Sequence, residues 1–388
     1  MVITQDFFTT FYICHRKAYL LKDQIQSSEG IEADYKGFRL IAFADEEREE
    51  NGNKIFILRR MSKNVRERHI IESSFLYFVL HLRGEDAQVK IEFLKGEKLV
   101  KPRDEFISMM IDAMKEVFES PSDPKPSFGY ECKECPFYKE CLDLSQKEED
   151  LSLINGVGDK RKKVLIKAGF KDVDSLSNAS PYEISKYVGI SLDEADSIVK
   201  QARSLKDHRP IMLKKVNLPY SDHEYFFDVE KDDEDLYLFG LLVDDTYHHF
   251  ILSNDNWNEW FDFIKILSLY PNAPIYHYDR FDKDVMKKFG KISNTDLKFV
   301  FPRFVDLYST VRNSVIMPVR FYSLKDVARS FGFNWRNKDF NGYNAMMALS
   351  KWREEGDYSV MEELLNYNED DCRALKVLKE ALVSMKNG

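Results

Sequence analysis

Cysteine is scarce in this chain, with five residues in 388. That is too few for a disulfide scaffold, so the cysteines read instead as metal ligands or buried apolar side chains. Long hydrophobic runs are missing: no stretch of about eighteen apolar residues occurs, which excludes a membrane-spanning helix. Residues 1–10 lack the basic-then-apolar pattern of a secretion signal, and the expectation is a cytoplasmic protein. There is no excess of basic residues either. The net charge is −9, which excludes a simple basic coat for nucleic acid but not local basic patches. Low-complexity segments are absent too. What is there is 44% hydrophobic and 32% charged, the balance of a soluble globular protein, and the length suits two to four domains.

Three blocks follow one another. Residues 1–147 mix strand and helix signals and end in a group of cysteines. Within them, residues 54–58 read as a strand and residues 106–118 as a helix, broken by Ser120-Pro121-Ser122-Asp123-Pro124. The charged stretch 147–150 reads as a linker. Residues 148–210 read as helical throughout, with glycine turns at Gly156-Val157-Gly158 and Gly189. Residues 215–388 open with three strand-like runs, at 224–230, 236–243 and 247–252. They then alternate helix and strand and end in a long helix from about Tyr358. The expected fold class is α/β multidomain, with a small all-α domain in the middle.

The third block carries acids in a telling pattern. Tyr225-Phe226-Phe227-Asp228-Val229-Glu230 is an apolar strand ending in two acids, and strand alternation turns Asp228 and Glu230 to one face. A hard divalent cation would offset the repulsion between them, while a solvated strand end is the plainer alternative. In Ile275-Tyr276-His277-Tyr278-Asp279-Arg280-Phe281-Asp282 a short strand runs into a helix that opens near Asp282, where an acid also suits the helix dipole. The last helix has an inward stripe at 3–4 spacing, Leu364, Asn368, Asp371, Leu375, Leu378 and Leu382, with Asp371 inside it and Asp370 on its flank. A carboxylate among leucines needs a partner or a metal. Tyr367, four residues before Asp371, reaches the same face.

In order and spacing these pieces resemble the ribonuclease H-like DEDD exonucleases, and most closely their YprB-like branch. That branch is also suggested by Phe304-Val305-Asp306-Leu307-Tyr308, Tyr322-Ser323-Leu324-Lys325 and Tyr367-Asn368-Glu369-Asp370-Asp371. The resemblance covers residues 222–384. It implies two-metal phosphodiester hydrolysis with Mg²⁺ or Mn²⁺, Asp228, Glu230, Asp282 and Asp371 as ligands, and Tyr367 orienting the attacking water. Asp306 would support the site or ligate directly. His277 would either touch a substrate phosphate or be a satisfied residue at the sheet end.

Cys132, Cys135 and Cys141 are closely spaced, with Cys14 far upstream. This layout resembles the iron–sulfur RecB-like nucleases and implies a [4Fe–4S] cluster on these four residues, zinc being the alternative. Cys372 reads as an ordinary buried thiol. Such nucleases also carry an Asp on one strand and Glu-x-Lys on the next. Here Gly37-Phe38-Arg39-Leu40 and Ile55-Phe56-Ile57-Leu58-Arg59-Arg60 offer neither. The implied domain is a degenerate restriction-endonuclease-like (PD-(D/E)XK) fold that is not catalytic. Arg59, Arg60, Lys63, Arg66 and Arg68 read either as a phosphate-binding patch or as a solvated basic face.

The middle block, from Leu153-Ile154-Asn155-Gly156-Val157-Gly158 into Lys160, Arg161, Lys162 and Lys163, resembles a helix-hairpin-helix motif. Over residues 151–205 its course is similar to the N-terminal domain of RadA-type recombinases. A glycine turn exposes N–H groups at a helix start, a natural phosphate site. Eleven Lys and Arg against eight Asp and Glu over residues 151–210 give +3 in an otherwise acidic chain. The resemblance implies DNA contact through Gly156, Gly158 and the four cations, with protein docking as the alternative. Taken together, the expectation is a metal-dependent DNA nuclease, a 3′→5′ exonuclease on single strands or ends, working with repair or recombination proteins and no membrane. The alternatives are a non-catalytic DNA-binding scaffold and an RNA-processing nuclease.

Overall fold

A computed structural model describes residues 1–25, 29–50, 52–129, 131–132, 135–253, 257–356 and 359–385. The chain divides into two units, Met1–Leu144 and Ser145–Gly388. No helix among the described residues is long and apolar enough to cross a membrane.

The first unit holds a four-stranded sheet in which the strands Asn53–Arg60 and Ala87–Phe93 run parallel at the centre, flanked by antiparallel edges. A smaller three-stranded sheet lies at its beginning. The expected strand and helix appear as Asn53–Arg60 and Asp104–Glu119. The helix Glu67–Leu82 buries Ile71, Phe75, Leu76 and Val79 in one core with both sheets. Arg59 and Arg60 are not offered to a phosphate backbone: Arg59 pairs with Glu46 and Glu92, and Arg60 with Glu72 and Asp45. Acids from neighbouring strands and from the helix Glu67–Leu82 neutralise them, whereas Lys63, Arg66 and Arg68 remain exposed.

The second unit begins with helices Asp159–Lys167, Val173–Ser177, Pro181–Val188 and Leu192–Asp207. Residues 147–150 are not a free linker. The Asp150 carboxylate accepts from the Ser152 N–H and pairs with Lys162 at 2.6 Å, which ties the stretch into the helical bundle. A five-stranded sheet follows, made of β1 (Tyr225–Lys231), β2 (Tyr237–Val243), β3 (Thr246–Leu252), β4 (Ile275–His277) and β5 (Phe304–Asp306). Its order is β3-β2-β1-β4-β5, antiparallel through β3, β2 and β1 and parallel through β1, β4 and β5.

Strand alternation sorts the two faces. Tyr225, Phe227 and Val229 of β1, with Phe239 and Leu241 of β2, pack under α1 (Asn258–Leu267) and α2 (Phe281–Ile292) through Trp260, Phe263, Met286 and Phe289. On the opposite face Phe226, Leu242 and Tyr276 meet α3 (Leu307–Ser314), α4 (Leu324–Ser330) and the long terminal helix. Helix α5 (Gly342–Glu355) and that terminal helix, α6 (Ser359–Ser384), close the face over Leu236 and Leu238. Tyr358, where the sequence starts the last helix, lies outside the described residues.

The helical bundle is fastened to this sheet domain along residues 314–322. Gln201, 3% exposed, donates to the Met317 carbonyl at 2.6 Å, and Ser204 donates to the Ile316 carbonyl at 3.3 Å. The short strand Ile211–Met212 pairs antiparallel with Val315–Ile316.

Candidate active site

Because β1 alternates, Asp228 and Glu230 share the face of Phe226, and this is the face α6 crosses. The whole inward stripe of α6 is buried, including Leu364, Asn368, Asp371, Leu375, Leu378 and Leu382. The helix therefore lowers Asp371 onto the strand's acids. Oxygen atoms of Asp228, Glu230 and Asp371 lie within 4.8 Å of one another. Among the described residues this is the one group of three or more metal-ligating side chains so close together.

Asp282 stands in the first turn of α2 and is buried. Backbone N–H groups of Tyr278 and Val229 bond to its carboxylate, and its charge acts on Asp228 and Glu230. Val229 lies between the two strand acids, so this bond ties the start of α2 to the same stretch of β1.

The acids carry the electrostatic mark of an uncompensated site. Burial, then the neighbouring acids, push Asp228, Glu230, Asp282 and Asp371 well above the ordinary carboxylate range. No Lys or Arg forms an ion pair with any of them among the described residues; Lys325 acts on Asp371 only at longer range, and His277 Nδ1 lies 3.8 Å from Asp282. Such a set, rich in oxygen and poor in cations, is what a hard divalent ion requires, and the residues fit that group.

Tyr367 lies among the acids. Burial raises its pKa first, and the charges of Asp371, Glu230 and Asp228 add to this. Its ring packs on Phe340 at 5.0 Å. Asp306 caps α3 by accepting from the Ser309 N–H, and it also accepts the Asp279 N–H at 3.1 Å. It thus holds the loop leading to Asp282. His277 is 2% exposed, and burial drops its pKa to about 4, so it is neutral. Its Nδ1 has no hydrogen-bond partner among the described residues, although the Asp279 backbone bonds the ring. Cys372 is a fully buried core thiol on α6.

Several residues of the site escaped sequence reasoning. Asn368 donates to Asp228 Oδ2 at 2.7 Å, and Trp335 Nε1 donates to Asp371 Oδ1 at 2.8 Å. Lys325, which the sequence offered only within Tyr322-Ser323-Leu324-Lys325, donates to the Phe340 carbonyl at 2.5 Å and lies within 6 Å of the Trp335 and Tyr367 ring centres. Asn368 had a signal in the sequence, a polar residue inside an apolar stripe. Trp335 had none. Asp370, read as a flank residue, is also buried, because Arg336 closes over it.

The cysteines give no comparable site. Burial raises the Cys141 thiol, and Cys14 and Cys135 lie close enough to add to it. Cys132 accepts the Gly129 N–H at 3.4 Å and contacts the Ser127 carbonyl. Among the described residues no three of the cysteines come within 4.8 Å of one another, and a [4Fe–4S] cluster or zinc on them rests on the sequence resemblance alone.

In the helical bundle Gly156 adopts φ +85°, a left-handed turn that suits glycine, and Gly158 precedes helix Asp159–Lys167. The four cations divide into two pairs. Lys162 is taken by Asp150, and Arg161 pairs with Glu194 at 2.7 Å and donates to the Gly156 carbonyl. Lys160 and Lys163 are exposed.

Compared with known proteins, residues 225–383 match the family model of the RNase H superfamily, and residues 148–204 match that of the SAM-like helix-hairpin-helix tandem. No curated protein and no solved structure matches the chain. Both domain types point to nucleic acid and the first to nuclease-type enzymes. The chain therefore carries an RNase H superfamily domain at residues 225–383, preceded by a tandem helix-hairpin-helix domain at residues 148–204 and an earlier sheet-containing unit.

Proposed function

We propose that this protein is a metal-dependent DNA nuclease whose active site is made by Asp228, Glu230, Asp282 and Asp371. The observation that carries the reading is the convergence of three carboxylates from β1 and α6 within 4.8 Å, with no Lys or Arg paired to them among the described residues. The four acids would hold divalent Mg²⁺ or Mn²⁺. When bound, such ions lower the pKa of water and offset charge on the scissile phosphate and leaving oxygen.

The protein's own groups do the rest. Asp228 and Glu230 are set by one strand, Asp282 is held by two backbone N–H groups, and Asp371 is brought in by α6. Tyr367, with its pKa raised, keeps its proton at neutral pH and orients a water by hydrogen bonding. Asp306 fixes the approach to Asp282 through Asp279. Exposed Lys160 and Lys163 at the glycine turn hold the nucleic acid backbone, which supports DNA as substrate and a role in repair or recombination. Tyr-x-x-x-Asp on the last helix, in the DEDD manner, supports 3′→5′ exonuclease action on single strands or ends.

The test is degradation of end-labelled DNA and RNA with Mn²⁺ or Mg²⁺ by the full chain and by Asp228→Ala. The expected result is metal-dependent shortening of DNA from the 3′ end, lost in the variant. Equal residual activity in the two proteins would discard the site.

A further inference from the structure

Helix α6 carries acids that are treated in two opposite ways. Glu369 and Asp370 are neutralised by cations: Arg336 bonds both, and Arg373 pairs with Glu369 at 2.7 Å. Asp371, the next residue, is held by the neutral Trp335 indole, although Trp335 and Arg336 are adjacent in the chain. Asp228 receives the same treatment from the neutral Asn368 amide. Each acid thus has one oxygen bound by a neutral N–H, on Oδ2 of Asp228 and Oδ1 of Asp371.

Asn368 is itself fixed from behind. It is fully buried, and the Tyr247 hydroxyl donates to its Oδ1 at 2.7 Å, so its amide must turn its N–H to Asp228. The strand opposite makes room for it. Gly240 pairs with Asp228 across β1 and β2, and a Cβ there would come 1.8 Å from Asn368 Oδ1. The glycine is required by close approach rather than by its backbone angle.

We propose that Asn368 and Trp335 are positioning residues that hold one oxygen of Asp228 and of Asp371 and turn the other toward a shared cation, while leaving the charge of both acids intact. This inference rests on the reading of the acids as a metal site. The physical reason for neutral donors is direct. A buried carboxylate needs its hydrogen bonds filled, but a Lys or Arg in that place would cancel the charge that binds a divalent ion. Partners behind metal ligands orient them, and their loss typically weakens metal affinity by about 10–100-fold.

The test is Mn²⁺ binding alone, without substrate, followed by the electron paramagnetic resonance signal of the free ion. The full chain is compared with Trp335→Phe, Asn368→Ala, Gly240→Ala, Arg336→Gln and Asp371→Ala, with melting curves to check folding. The expected result is loss of tight binding in Asp371→Ala and a Kd raised about 10–100-fold in the first three variants. Arg336→Gln, which loses the clamp on Asp370, Glu369 and Asn366 but no contact to Asp371, should stay within about twofold. Trp335→Phe removes the donor and keeps the ring, so it decides the matter even if Asn368→Ala does not fold. A wild-type Kd in Trp335→Phe, with binding lost in Asp371→Ala, would overturn the positioning role and leave the metal site standing. An equal rise in Arg336→Gln would also overturn it, by showing that the loop merely steadies the helix. Wild-type protein that binds no Mn²⁺ would sink the metal site and this proposal together.

Discussion

Glu230 is the side chain on which burial and charge act without relief. Every cause that shifts it, burial first and then Asp228, Asp371 and Asp282, favours its protonated form. Its pKa in the folded protein therefore stands above that of the unfolded chain. Stability from this group is fully present below the ordinary carboxylate range and is lost as pH rises through the raised value. Glu230→Gln removes that cost. Without metal at neutral pH the variant should be more stable than wild type, and the gain should vanish in acid. Added Mn²⁺ should raise the melting temperature of the wild type and not of the variant, since ligand binding to the folded state stabilises it. A variant less stable than wild type at neutral pH without metal would show that the acids do not strain one another.

Among the elements, α6 does two jobs with one stripe. Leu375, Leu378 and Leu382 bind it to the sheet, and that packing sets the height at which Asp371 meets β1. Leu375→Ala should cost about 2–5 kcal/mol in chemical denaturation, and it should lower cleavage beyond what the lost stability explains. The segment Val315–Ile316 is a second such joint. Gln201→Leu would strip the Met317 carbonyl of its donor, an expected loss of about 1–3 kcal/mol in the Ser145–Gly388 unit. Unchanged melting of that variant would mean the bundle is held elsewhere.

For the molecule as a whole, the question is how a chain of net charge −9 holds a polyanion. On the proposed reading the answer is local: Lys160 and Lys163 face solvent while Arg161 and Lys162 are spent on internal pairs. Lys160→Glu with Lys163→Glu should weaken DNA binding and flatten its salt dependence by about one to two ion equivalents, with the melting temperature unchanged. Lys162→Ala should instead lower stability, because Asp150 is left half-buried without its partner. The opposite pattern would place the nucleic acid on another surface.

Periodicity made much of this protein legible in its sequence. The strands at 225–231 and 246–252, the helix at Asp104–Glu119 and the buried stripe of α6 follow from local alternation and 3–4 spacing, and the strand at 237–243 from a short unbroken apolar run, signals that act over a few residues. The two strand acids on one face are legible for the same reason. Tertiary structure alone decided what surrounds them. Trp335 reaches Asp371 across 36 positions and Asn368 reaches Asp228 across 140, separations over which no spacing rule operates. It also decided which cations are free. Charge counted along a chain says nothing of ion pairs, and Arg59, Arg60, Arg161 and Lys162 are each taken by an acid brought near only by folding.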